Sequence, residues 1–164
     1  MIKAKPPAVW QAVRNHMTRH VYDRMLKKTK LIRQIDDQTK LVYLHHETTQ
    51  CFVKQSRDFV LLAARERVEP ERYVLAATSV EIPEIPPIND IVRAKAYSSG
   101  WIIEPVLQNG QLYSMVSYLS QVDFGGVVSC QASKSRRPSP AALYRLPQGL
   151  LRETGTINSI CDQL

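Results

Sequence analysis

Cysteine is scarce in this chain of 164 residues, and its three copies, Cys51, Cys130 and Cys161, form no CxxC pair. That pattern argues against a disulfide framework or a zinc ribbon and suits a reducing, cytoplasmic setting. No apolar run approaches the roughly 18 residues of a membrane span. The N-terminal MIKAKPPAVW lacks the apolar centre of a secretory signal. A nucleophile elbow, an HExxH pair and a phosphate-binding glycine loop are all missing too. The commonest hydrolase, metalloprotease and nucleotide-binding readings therefore have nothing to start from.

Acids are almost absent from one region. Between Lys3 and Arg33 nine lysines and arginines face a single acid, Asp23, in a chain of net charge +7. Such a patch suits an anionic membrane surface, with a solvated helix face as the plainer alternative. Few aromatics are interleaved with the charges and no nucleic-acid motif appears, so nucleic acid is not an expected partner. Composition is otherwise ordinary, 44% hydrophobic and 23% charged, and the length allows one domain with a real core.

The most informative stretch is Ser56 to Arg65, SRDFVLLAAR. As a strand it sets Arg57, Phe59, Leu61, Ala63 and Arg65 on one face and Asp58, Val60, Leu62 and Ala64 on the other. Both faces are apolar in the middle, which fits a central strand with a core or cavity in front. The two arginines on the apolar face need partners, and Asp58 or Glu47 would serve if both are structural.

Upstream, Pro6 and Pro7 suit a first helical turn. Val9, Val13, Met17, Val21 and Met25 then recur at helical spacing, predicting one helix or two short ones up to about Leu26. His16 and His20, four apart, would share a helix face, but no further ligand follows at zinc spacing, so no metal is expected. From Leu31 the period becomes two, with a hairpin turn at Asp36–Thr39 and a strand through KLVYLHHE. That strand sends His45 and His46 to opposite faces. Acid–base work by His45 or Glu47 lacks a visible partner, and no enzyme or cofactor is expected. Thr48 to Gln55 reads as a loop whose apolar tip, Phe52 and Val53 beside Lys54, suits shallow membrane contact.

Beyond the central strand, ERYVLAATSVEI is its expected antiparallel partner and EIPEIPPIND a connection. IVRAKAYSS and GWIIEPVLQ follow as strands hinged near Gly100, and Asn109-Gly110 is a strong hairpin turn. QLYSMVSYLSQVDF completes a meander in which every pairing is expected to be antiparallel. The fold class is therefore α+β. Residues 1–128 form the expected body. Residues 129–164, with CQASKSRRPSP, read as a partly disordered segment.

Four motifs, in order, resemble the START (StAR-related lipid-transfer) domain. They are VYDRMLKKTKLIRQIDDQTKLVYL with Tyr22-Asp23, the RDFV of Arg57-Asp58-Phe59-Val60, IVRA at Ile91–Ala94, and YLSQVDFGG at Tyr118–Gly126. A narrower likeness is to the START domain of a kinesin-like motor protein. The resemblance implies a helix-grip fold, a curved antiparallel sheet around a tunnel for one lipid, closed by a C-terminal lid helix. Against that pattern the chain starts near the third strand, lacking the first helix and two strands. It also carries Ala63 where a second arginine often stands, with Arg65 the nearest substitute, and a divergent segment at the lid. The implied ligand is a sterol, phospholipid or ceramide, held in a tunnel lined by Arg57, Phe59, Leu61, Ala63, Arg65, Tyr73, Leu75 and Ala77. Two alternatives remain open: an incomplete domain that binds protein instead of lipid, and a small-molecule enzyme on the same fold.

Overall fold

A computed structural model describes residues 1–50, 53–68 and 71–126. The segment 129–164, with any lid helix, lies outside the described residues, as do Cys51 and Phe52. Two short helices come first, α1 (Pro6–Arg14) and α2 (Arg19–Tyr22). Pro6 occupies the first turn of α1, and the apolar stripe Val9, Trp10, Val13 is buried. The helix stops at Asn15, whose backbone is extended. Thr18 Oγ1 then donates to the carbonyls of Ala12 and Asn15, ending the turn. His16 and His20 therefore do not share a helix face. His16 falls in the break, and the His20 ring lies against the Met17 carbonyl.

Nine strands follow among the described residues: β1 (Leu26–Gln34), β2 (Thr39–Gln50), β3 (Val53–Val68), β4 (Arg72–Ser79), β5 (Val92–Arg93), β6 (Lys95–Ala96), β7 (Ser99–Gln108), β8 (Gln111–Leu119) and β9 (Val122–Asp123). Their order in the main sheet is β1-β2-β3-β4-β7-β8, with β6 and β9 forming a separate pair. This is the expected α+β architecture, a curved, mostly antiparallel sheet with few helices. Strand β1 starts five residues before the expected Leu31. Irregularities between Leu26 and Lys28 and between Leu31 and Arg33 interrupt its alternation, which hides the period in the sequence. Residues 48–50 and 53–55, expected in a loop, are strand: Thr48 pairs with Gln55, Thr49 with Lys54 and Gln50 with Val53. The long β2–β3 hairpin runs almost to its tip.

The 16-residue β3 is the centre of the sheet. Along one edge it pairs with β2; along the other, residues 61–68 pair with β4 and Arg57-Asp58 with β5. The β3–β5 pairing is parallel, so the expectation of a wholly antiparallel body is corrected. Its cause is the segment between β4 and β5, which crosses behind the sheet. Val80, Ile82 and Ile85 pack on Leu41, Tyr43 and Val60 of the convex face. The chain thus re-enters beside β3 in the direction of β3 itself. The break in IVRAKAYSS falls at Ala94, between β5 and β6, and β7 runs through Gly100 without a hinge. Glycine is needed there for another reason. A Cβ on Gly100 would lie 2.2 Å from the Leu75 carbonyl oxygen of β4. At the β7–β8 turn Asn109 and Gly110 both take positive φ, 52° and 75°, as the two-residue hairpin requires.

The convex face is fastened by an ion pair. Asp58, fully buried, accepts two bonds from Arg93, from Nε at 2.8 Å and Nη2 at 3.0 Å. Arg93 also donates to the carbonyls of Ile85 and Pro86, which ties the crossing segment to the sheet. Removing one partner of a buried pair strands the other. Arg93→Ala is therefore expected to cost roughly 3–5 kcal/mol in urea denaturation. Arg57→Ala, which removes bonds only to Gln55 and the Phe124 carbonyl, is expected to cost less than half as much. Equal losses would show that the pair is not the fastening.

Candidate functional site

In front of the sheet lies a cavity of about 620 Å3, walled by the concave face, the α1–α2 segment and the β6–β9 pair. Its floor follows from alternation along the hairpin. Lys40, Val42, Leu44, His46 and Thr48 of β2 stand opposite Ala63, Leu61, Phe59, Arg57 and Gln55 of β3. All ten line the cavity. From Gln55 to Ala63 the floor runs about 26 Å at roughly 3.3 Å per residue. That size is within the usual range for small-molecule sites, about 300–1,000 Å3.

Of the residues expected to line a tunnel, Arg57, Phe59, Leu61, Ala63, Leu75 and Ala77 do line this cavity. Tyr73 does not. It is buried under α1, stacked on Trp10 with ring centroids 5.1 Å apart, because the helix covers that end of β4. Arg65 also stands apart, donating through Nε and Nη2 to the Asp37 carbonyl in the β1–β2 turn. Neither arginine pairs with Asp58 or Glu47. Asp58 is held by Arg93, and Glu47 by Lys54 at 2.8 Å and Lys27 at 3.6 Å. Arg57 donates to Gln55 Oε1 and the Phe124 carbonyl, with its guanidinium over the Phe124 ring. Lys54, paired and exposed, stands near the hairpin tip; Val53 begins β3, paired with Gln50. His45 and Glu47 form no hydrogen-bonded couple among the described residues: His45 sits opposite Asp58.

Sequence reasoning missed the cavity's polar cluster. Asp23, just after α2, accepts from Arg19 Nε at 3.0 Å and from His46 Nε2 at 2.9 Å. All three side chains line the cavity. Arg19 and Asp23 are four apart, a legible spacing, but His46 is 23 residues away and reaches them only because the hairpin curls over α2. Burial alone would raise the Asp23 pKa. The His46 hydrogen bond and the Arg19 charge outweigh it and hold the carboxyl down at about 2. Beyond the cluster, Trp101 and Tyr118 pack together at 4.4 Å on the wall, and Tyr22 meets Trp101 edge-on at 6.0 Å. Burial pushes the Tyr22 phenol up to about 12, so it stays neutral.

The START domain family model matches residues 1–137. This chain belongs to the START domain family. Human StAR-related lipid transfer protein 9 is 34% identical over 118 residues, 71% of this chain and 2% of that protein. Human StAR-related lipid transfer protein 6 is 27% identical over 124 residues, 74% of this chain and 54% of that protein. Among solved structures, human StAR-related lipid transfer protein 5 superimposes with a TM-score of 0.75 at 21% identity. The match covers 99% of this chain and 72% of that one. The START chain described here thus spans a small part of the first relative and about half of the second. All three of those proteins are named for lipid transfer, and the START fold is common ground.

The depressed Asp23 carboxyl makes stability depend on acid. Its folded pKa, about 2, lies below an ordinary 3.8, so its contribution is complete above pH 3.8 and lost as pH falls towards 2. Asp23→Asn is expected to be less stable than the parent by about 2 kcal/mol at neutral pH. The gap should close below pH 3, read from urea midpoints across pH. A gap independent of pH would assign the loss to packing.

Proposed function

We propose that this chain is a non-catalytic lipid-binding module that holds one lipid, a sterol, phospholipid or ceramide, in the 620 Å3 cavity. One observation carries the reading. Phe59, Leu61, Ala63, Val42 and Leu44, adjacent on two paired strands, present an unbroken apolar floor to an open volume. An apolar body laid on it leaves water, which is worth about 25 cal/mol per Å2 covered. Membership of the START family supports the same reading. No helix among the described residues is long and apolar enough to cross a membrane. On this reading the module meets its lipid at a membrane surface, in a cytoplasmic setting.

The cavity floor supplies the test. In a packed core an added ring costs typically 1–3 kcal/mol; beside an open volume it costs little. Leu61→Trp and Ala63→Phe are expected to melt within a few degrees of the parent and to carry no lipid after organic extraction. Severe destabilisation would make this face ordinary core. Retained lipid would move the site elsewhere.

Contact with the membrane would fall at the rim beside α2. Met17, Val21 and Met25 are all exposed there, Met25 also lines the cavity, and the exposed Arg24, Lys27 and Lys28 stand nearby. Apolar tips among cations suit an anionic bilayer. Met17→Glu combined with Arg24→Glu is expected to weaken binding to phosphatidylserine vesicles at least tenfold, with the parent's binding falling as the Debye length shrinks to about 3 Å at 1 M salt. Phe52→Asp tests the expected membrane contact of Phe52, Val53 and Lys54 in the same assay. Salt-independent binding would remove the electrostatic part of this reading.

A further inference from the structure

The cavity is hydrocarbon along the middle of its floor, at Val42, Leu44, Phe59, Leu61 and Ala63, and carries a buried polar cluster where Arg19, Asp23 and His46 meet. Both bonds into Asp23 end on Oδ2, and Oδ1 accepts none among the described residues. In the neutral ring, the bond to Asp23 puts the His46 proton on Nε2 and leaves Nδ1 as an acceptor. That Nδ1 is buried and has no partner among the described residues. Arg19 uses only Nε, and its terminal nitrogens make no hydrogen bond among the described residues. The side chains of Asp23 and His46 are 14% and 13% exposed, so bulk water reaches them poorly. Buried groups with unused hydrogen-bonding capacity are uncommon, and at a cavity wall the missing partner is a ligand atom.

The geometry points to this cluster as the polar subsite of the lipid cavity, built for a lipid hydroxyl and against a phosphate. The inference rests on the lipid-binding reading above and narrows it. A hydroxyl both gives and accepts: its proton goes to Asp23 Oδ1, and its oxygen accepts from the Arg19 guanidinium. A phosphate only accepts, and it would bring negative charge against the Asp23 carboxylate in an apolar cavity. Arg19 and Asp23 cancel each other, so the cluster offers no net positive charge. Of the other cations lining the cavity, Arg57 is engaged with Gln55 and the Phe124 carbonyl, while Lys40, bonded to the Arg14 carbonyl, and Arg14 itself stand at the far end of the floor from His46. Sterols, diacylglycerols and ceramides all place one hydroxyl at the end of an apolar body.

The experiment compares each such lipid with its O-methyl ether, which keeps the oxygen as acceptor and deletes the donor. The purified chain is incubated with phosphatidylcholine vesicles containing cholesterol, diolein, ceramide or the matching ether. It is then separated, extracted and its lipid measured by mass spectrometry. At least one hydroxyl lipid is expected to be retained roughly ten- to a hundredfold over its ether, the worth of one hydrogen bond to a charged acceptor. Phosphatidylcholine is expected to be poorly retained. In Asp23→Asn the amide turns its N–H2 into the cavity, so hydroxyl and ether are expected to bind alike. Equal retention of alcohol and ether by the parent, a preference for phosphatidylcholine, or an unchanged preference in Asp23→Asn would each overturn the subsite while leaving a lipid on the protein. A parent that retains no lipid at all would overturn the lipid-binding reading itself, and the subsite with it. If Asp23→Asn does not fold, the parent's own preference still decides.

Discussion

The fully buried carboxylate of Asp58 is the costliest group to place in this structure, and much of the architecture is arranged to satisfy it. It sits mid-sheet, on the face of β3 turned away from the cavity, where a bare charge would be intolerable. Arg93 answers it with both arms of its guanidinium and can do so only because β5 lies parallel beside β3. The same guanidinium holds two carbonyls of the crossing segment. One pair therefore joins the central strand, a short neighbouring strand and the covering of the convex face. The concave face is left free of that task, and its residues can stay apolar around an open volume.

Such a division explains why neighbouring residues of one strand lead different lives. Arg57 and Asp58 are adjacent and oppositely charged, yet they point to opposite sides and never meet. Arg57 serves the cavity end, fixed by Gln55 and the backbone at Phe124. The polar cluster at Asp23 lies on the cavity side too, and it differs from Arg57 in what it leaves unused. Arg57 has Nε and Nη1 already committed; the Asp23 cluster keeps both a donor and two acceptors in hand.

Much of this was legible from sequence where the physics is local. The alternation of Arg57, Phe59, Leu61 and Ala63, the Asn109-Gly110 turn and the two-helix start all follow from periods or turn chemistry that span a few residues. The order of four motifs carried the fold. The sequence was silent where distant segments meet. Arg65 alternates correctly with Ala63 but falls beyond the cavity, near a turn whose carbonyl takes it. Tyr73 shares a face with Leu75 and Ala77, but α1 covers it, and no property of β4 announces that. The pairing of Asp58 with Arg93 joins two of the recognised motifs, RDFV and IVRA, yet nothing in either says they touch. His46 looked like one half of an uninformative histidine pair, because its acid lies 23 positions upstream. The hairpin arms at 48–50 and 53–55 were hidden by the polar composition around them; pairing with each other keeps them extended.

Strand β1 ends the described sheet on one side and offers its outer edge to anything extended that passes. Lys27, Lys28, Lys30 and Arg33 are strung along it, and Lys28 and Lys30 are exposed. A second copy docking edge to edge would bring like charges into register at every other residue. Like charges along that edge would oppose such docking, an opposition borrowed from low salt that fades as counterions gather.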